Sequence, residues 1–123
     1  MPDPAHLKAI IEAELQHLTH PQATTAIRAH LVEPVSVTLD WDYGAPSQQF
    51  PGWLVFDDPT TDTEIVFCAD GFGPSHPWGL ILPEGDHRPM GMDSGWYRTF
   101  LGAWSDLTGL EPGSLIGHGP ADV

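Results

Sequence analysis

The hydrophobic pattern changes its period near residue 35, and this change constrains the fold more than any other feature of the sequence. From Val35 to Trp41, apolar residues alternate with polar ones, and the polar positions include Asp40. Alternation at period two predicts a strand that is apolar on one face and acidic on the other. Before this point the apolar residues recur at helical spacing, so the chain combines helices with a sheet.

Two helices are predicted ahead of this strand. The first covers residues 4–18, where Pro4 suits the first turn of a helix. Its apolar stripe consists of Leu7, Ile10, Ile11, Leu15 and Leu18. Pro21 opens a second helix, which we expect to run to about Glu33 and to end ahead of Pro34.

Three more strands are predicted after a loop at residues 43–49. The unbroken apolar run at 53–56 indicates an interior strand that is covered on both faces. A polar connection joins it to a strand at 64–69, and this pair is expected to form an antiparallel hairpin. The next strand is predicted at 78–82, where Pro83 ends it.

The sequence of residues 90–123 predicts one more helix and a tail. Residues 90–107 carry a helical stripe, and Asp93 or Ser94 is the expected N-cap. Residues 108–123 contain four Gly and two Pro without periodicity, which predicts a loose tail. The predicted fold is α+β in one domain, residues 1–107, with two N-terminal helices, about four mainly antiparallel strands and a C-terminal helix packed on the sheet.

Composition excludes several classes of partner and compartment. The 123 residues include 17 acids and 4 bases, which gives a formal net charge of −13. Direct binding to nucleic acid or to anionic membrane is not expected, because both are bound through Lys and Arg. The single cysteine, Cys68, excludes an internal disulfide. Without a signal-peptide pattern or a long apolar segment, the expected location is the cytoplasm.

The acidic residues are unevenly distributed. Between Arg28 and Arg88 the chain has ten acids and no Lys or Arg. Such a stretch is either a solvated face or a docking surface that steers a basic protein to it. The candidate partner-binding residues are the acids of this stretch that fall on strands and turns, together with two loop aromatics: Asp40, Asp42, Tyr43, Asp57, Asp58, Asp62, Glu64, Asp70 and Phe72.

No catalytic residue, metal site or cofactor is predicted. Glu14 and His17 have the spacing of a carboxylate-bridged iron pair, but such sites need a second pair, which the sequence lacks. His17 and His20 straddle a predicted helix end. Cys68 lies in an apolar strand, where a thiol behaves as a small hydrophobe, so a Cys68–His76 nucleophile and base is not favoured.

Three segments resemble immunity proteins of bacterial polymorphic-toxin and contact-inhibition systems. They are Gly-Trp-Leu-Val-Phe at 52–56, Ile-Val-Phe-Cys-Ala-Asp-Gly-Phe-Gly-Pro at 65–74 and Trp-Gly-Leu-Ile at 78–81. The likeness is one of size, charge and Trp-rich strands. It implies a non-catalytic protein that binds and blocks a cognate toxin, often a basic nuclease, inside the cell that makes both. It transfers no binding residue by position.

Two other functions fit the same residues. A small enzyme or ligand-binding protein would line a pocket with Trp53, Phe72 and Trp78, and Asp70 or His76 would be its polar group. A nucleic-acid mimic would space its acids like phosphates along one edge and inhibit a nucleic-acid-binding protein. The mimic and the immunity protein need the same acidic face, so the sequence does not separate them.

Overall fold

The chain forms three helices and one five-stranded antiparallel sheet, as described by a computed structural model for residues 3–40, 49–69, 75–83, 88 and 95–108. The strands lie in the sheet in their chain order, β1 to β5. The α+β prediction is confirmed, with one strand more than expected. The elements are α1 (Pro4–Gln16), α2 (Pro21–His30), β1 (Leu31–Asp40), β2 (Gln49–Asp58), β3 (Thr63–Phe67), β4 (Trp78–Ile81), β5 (Gly95–Tyr97) and α3 (Phe100–Thr108).

Both N-terminal helices begin at a proline that follows a capping side chain. Asp3 Oδ1 accepts the backbone N–H of His6 at 2.8 Å ahead of α1. Ahead of α2, His20 Nδ1 accepts the backbone N–H of Ala23 at 3.1 Å. Each cap satisfies a donor that the first helical turn leaves without an intrahelical partner.

The second helix is shorter than predicted. It ends at His30 rather than near Glu33, and residues 31–34 belong to β1. Leu31 already has extended backbone, with φ −64° and ψ 138°. The restriction on a residue that precedes proline accounts for the extended backbone of Glu33, directly ahead of Pro34. The strand tolerates this proline because β1 is at the edge of the sheet.

The predicted final helix was wrong over its first part, where residues 95–97 form β5 instead. Trp96 lies opposite Gly79 of β4, and a Cβ placed on Gly79 would come within 2.6 Å of the indole ring. The indole therefore covers a position where β4 has no side chain. Trp96 and Phe100 are spaced like residues of one helix, but this spacing joins a strand to the helix after it.

The last helix, α3, begins after Thr99. Thr99 Oγ1 accepts the backbone N–H of Gly102 at 2.9 Å and caps the first turn. The predicted caps, Asp93 and Ser94, lie outside the described residues. So do residues 109–123 of the predicted tail, although Thr108 still belongs to α3.

All three helices pack on one face of the sheet. Trp53, Phe67, Trp78 and Tyr97 are cross-strand neighbours and form a row on this face. The ring centroids of Phe67 and Trp78 lie 4.9 Å apart, and those of Trp78 and Phe100 lie 5.9 Å apart. The larger hydrophobic core lies between this row and the helices.

A second apolar cluster lies on the opposite face of the sheet. Its centre is fully buried and consists of Leu39, Val66, Cys68 and Ile81. Val35 was expected to be buried with them, but it is 51% exposed. It follows an irregularity in the pairing of β1 with β2, at the edge of the sheet. No helix in the described part of the chain is long and apolar enough to cross a membrane.

Candidate functional site

The hairpin between β2 and β3 brings together four of the candidate partner-binding residues. Asp57 lies opposite Glu64 across the two strands, and Asp58 lies opposite Thr63. Asp62 is in the turn between the strands. We refer to residues 57–64 as the acidic hairpin. Antiparallel pairing is the cause of this concentration, because it places the end of one strand beside the start of the next.

Polar side chains shape the turn of the acidic hairpin. Asp58 Oδ1 accepts the backbone N–H of Thr60 at 2.9 Å. Asp62 has a positive φ of 57°, a conformation that Asp and Asn tolerate better than most residues. The Asp57 and Asp62 side chains belong to exposed residues. Two carboxylates of the hairpin are therefore open to solvent.

Asp58 connects the acidic hairpin to the end of α2. The Asp58 carboxylate is 4.0 Å from His30 Nε2, and the Asp58 side chain is 16% exposed. The His30 ring packs edge-on against Phe56, with 5.8 Å between the ring centroids. The hairpin acids therefore lie beside the junction of α2 and β1.

Glu64 is buried and bound to a cation of the same chain. The residue is 7% exposed. Arg88 Nε donates to one Glu64 carboxylate oxygen at 2.9 Å, and Arg88 Nη2 donates to the other at 3.3 Å. This bidentate pair holds the Glu64 carboxylate within the protein. From the sequence, Glu64 was predicted to be a surface acid. That prediction was wrong, because the proximity of Arg88 to Glu64 in the fold cannot be read from the sequence.

Asp40 is the last residue of β1 and lies near Glu64 of the acidic hairpin, because Arg88 binds both carboxylates. One Asp40 oxygen accepts from Gln49 Nε2 at 2.8 Å, and the other accepts the Arg88 N–H at 3.1 Å. The Asp40 N–H donates in turn to the Arg88 carbonyl at 2.8 Å. The remaining candidates, Asp42, Tyr43, Asp70 and Phe72, lie outside the described residues.

Three of the four basic side chains of the protein are paired with glutamates. Besides Arg88, Lys8 Nζ contacts Glu33 at 2.9 Å, and Arg28 contacts Glu12 at 2.9 Å. The hydrogen bond that Arg28 donates to Glu12 and the negative charge of that carboxylate raise the pKa of the Arg28 guanidinium. None of these cations contacts Asp57 or Asp62 among the described residues.

The two exposed ion pairs border a cleft that sequence reasoning missed. The cleft has a volume of about 490 Å³ and is formed by α1, α2 and the first residues of β1. Its apolar lining includes Ile11, Leu31 and Pro34. One indication of this cleft was visible in the sequence. Lys8 and Arg28, which both line it, are two of only four basic residues.

The other residues considered for chemistry have structural roles. The two Glu14 oxygens accept the backbone N–H groups of Leu101 at 2.9 Å and Phe100 at 3.2 Å. Trp78 is part of the larger core, and Trp53 packs against it. Among the described residues, no group of three or more His, Cys, Asp or Glu side chains could hold a metal ion.

Comparison of the chain with protein families, curated proteins and solved structures finds no match.

Proposed function

We propose that this protein is an immunity, or antitoxin-type, protein that binds and neutralises a basic toxin in the cytoplasm of the bacterium that makes both. The acidic hairpin is the contact surface, and a nuclease is the toxin chemistry that this surface fits best. Nucleases bind polyanions through basic clefts, so an acidic surface complements them. The protein acts by occupying the cleft and needs no reaction of its own.

The observation that carries this proposal is the unequal pairing of charge. Three of the four bases are paired with glutamates away from the exposed hairpin acids. None of these three cations lies beside Asp57 or Asp62, whose side chains belong to exposed residues. The excess of acids over bases gives the chain a net charge of −13, which would accelerate association with a basic partner.

Affinity capture with a matched set of variants tests this function. The hairpin variant carries Asp57→Asn, Asp58→Asn and Asp62→Asn. Asn keeps the side-chain acceptor that Thr60 uses and tolerates the positive φ at position 62. The control variant removes the same number of charges at other positions of the sequence, through Asp93→Asn, Glu111→Gln and Asp122→Asn. Each tagged protein is incubated with lysate of the source cells at low and at high salt.

The expected result is one basic protein that the wild type and the control retain at low salt and release at high salt. The hairpin variant should retain at least about tenfold less of it, because charge pairs govern such contacts. Expression of the captured protein should then arrest growth, and co-expression of the wild-type chain should restore it. Equal capture by all three proteins, or no protection of growth, would refute the proposal.

A further inference from the structure

The outer edge of β1 is the longest run of strand backbone at an edge of the described sheet. β1 has ten residues and, among the described strands, pairs with β2 alone, whereas β5 at the other edge has three residues. An edge strand presents N–H and C=O groups to which another strand can add.

Two independent features identify the groups that point away from β2. Thr38 lies opposite Pro51, which has no N–H, so these residues form a pair without ladder hydrogen bonds. Asp40 likewise gives its N–H to Arg88 rather than to β2. Because backbone direction alternates along a strand, Ser36 points outward together with Thr38. Ser36 and Thr38 therefore present their N–H and C=O groups at the edge.

The middle of this edge has none of the usual protection against pairing. Natural edge strands carry charges, prolines or bulges that prevent another strand from adding. Between Pro34 and Asp40 the sequence is Val-Ser-Val-Thr-Leu, without a charge or a proline. Ser36 and Thr38 are exposed, and Val35 is one of two exposed large hydrophobic residues among those described.

Acidic groups at the start of the strand indicate what can occupy this edge. Leu31 pairs with Phe56, directly before Asp57 and Asp58 of the acidic hairpin. The Glu33 side chain, at the same end, is 79% exposed. A second copy of the chain would bring another net charge of −13 to these carboxylates. A basic segment of a different protein meets them with opposite charge.

We propose that β1 is a docking strand, and that an extended, basic segment of the partner adds to its outer edge beside Ser36 and Thr38. The segment has an uncharged centre that pairs with Val35 to Leu39, and basic residues that reach the acidic hairpin. Main-chain hydrogen bonds supply the pairing, and the charges fix its position. The identity of the partner as a toxin rests on the proposed function, whereas the docking edge does not.

A synthetic peptide tests the edge directly. The probe has alternating Thr and Val residues at its centre and lysines at both ends. Amide hydrogen exchange of the labelled protein is followed by NMR with and without the peptide. The peptide should slow exchange at Ser36 and Thr38. Val37 provides an internal control, because its N–H points toward β2 and should change much less.

Variants of both components remove the predicted hydrogen bonds. Thr38→Pro deletes an outward N–H that the fold does not use, and it should weaken peptide binding at least about tenfold. Thr38→Ala keeps the backbone donor and should bind like the wild type. A peptide N-methylated on alternate residues gives the same test without changing the protein, and it should also fail to bind.

The outcomes separate the docking edge from the acidic surface. A peptide with Gln in place of Lys that still protects Ser36 and Thr38 equally well supports the edge and counts against charge recognition. Binding that Thr38→Pro leaves unchanged, while the hairpin variant abolishes it, overturns the edge and supports the acidic surface. Absence of protection at the highest peptide concentration overturns the edge. Protection that grows with protein concentration alone shows that a second copy occupies it and overturns the proposal.

Discussion

At the scale of single residues, Arg88 connects two carboxylates from different strands. It holds the nearly buried Glu64 through two hydrogen bonds and contacts Asp40 through its backbone. The Arg88 side chain is 22% exposed, whereas that of Lys8 in the surface pair with Glu33 is 53% exposed. The Arg88–Glu64 pair therefore matters more for stability than the Lys8–Glu33 pair, because a buried carboxylate that loses its cation retains the full cost of its desolvation.

Replacing Arg88 should therefore destabilise the protein strongly. We expect Arg88→Met to lower the free energy of unfolding by about 3 kcal/mol, since it leaves Glu64 buried without its cation. The control Lys8→Met breaks an exposed pair and should cost no more than about 1 kcal/mol. Urea unfolding followed by tryptophan fluorescence measures both changes. Equal and small losses would show that the buried pair is not stabilising.

Sequence reasoning could locate this cation but not its partner. Arg88 is conspicuous because it ends a long interval without bases. Its pairing depends on how the chain between β4 and β5 brings residue 88 to Glu64 and to the end of β1. Ten acids occupy that interval, and nothing in their local sequence selects one of them. The acidic hairpin itself was predictable, because it depends only on adjacent strands.

At the scale of elements, α3 depends on a carboxylate from α1. The first two N–H groups of α3 are bound by Glu14, and the third is bound by Thr99. Burial raises the pKa of the Glu14 carboxyl, and the N–H donors of Leu101 and Phe100 partly offset this effect. A helix of nine residues has little stability alone, so this cap and the core packing both matter.

The raised pKa of Glu14 predicts a specific dependence on pH. Because the folded protein binds this proton more tightly than the unfolded chain does, its contribution to stability is complete below the ordinary pKa of 4.5. It is lost as the pH rises through the folded pKa. Wild type should therefore lose stability relative to Glu14→Gln between acidic and neutral pH. Urea unfolding at several pH values measures the difference in free energy of unfolding between the two proteins. The other carboxylates are common to both, so their effects cancel in this difference. A difference that is constant, or that grows in favour of the wild type, would contradict the account.

Elements were predictable where the local pattern agreed with the tertiary structure. The start of α1, the antiparallel hairpin of β2 and β3, and β4 follow from apolar runs and turn residues. β5 did not, because its aromatic residues continue the helical spacing of α3. Its strand conformation depends on Trp96 covering Gly79, which is a contact between distant residues. The end of α2 was misjudged because Pro34 restricts only the residue directly before it, whereas the backbone is already extended at Leu31.

At the scale of the whole molecule, charge is divided between two uses. Glutamates from α1, β1 and β3 bind three of the four basic side chains and hold elements together. The aspartates exposed on the acidic hairpin are not needed for this purpose. The proposed function assigns them to association with a basic partner, and β1 provides an edge beside them for pairing. The sequence predicted the excess of acid, whereas the division between the two uses required the fold.

The most direct test of this account is the association rate constant with the captured partner, measured against ionic strength. For the wild type we expect the rate constant to fall by about tenfold or more from low to high salt, as electrostatic steering requires. The hairpin variant should begin near the high-salt value of the wild type and change little. The control variant, which has the same net charge as the hairpin variant, should keep most of the wild-type dependence. Equal salt dependence of the hairpin variant and the wild type would contradict the role of the acidic hairpin.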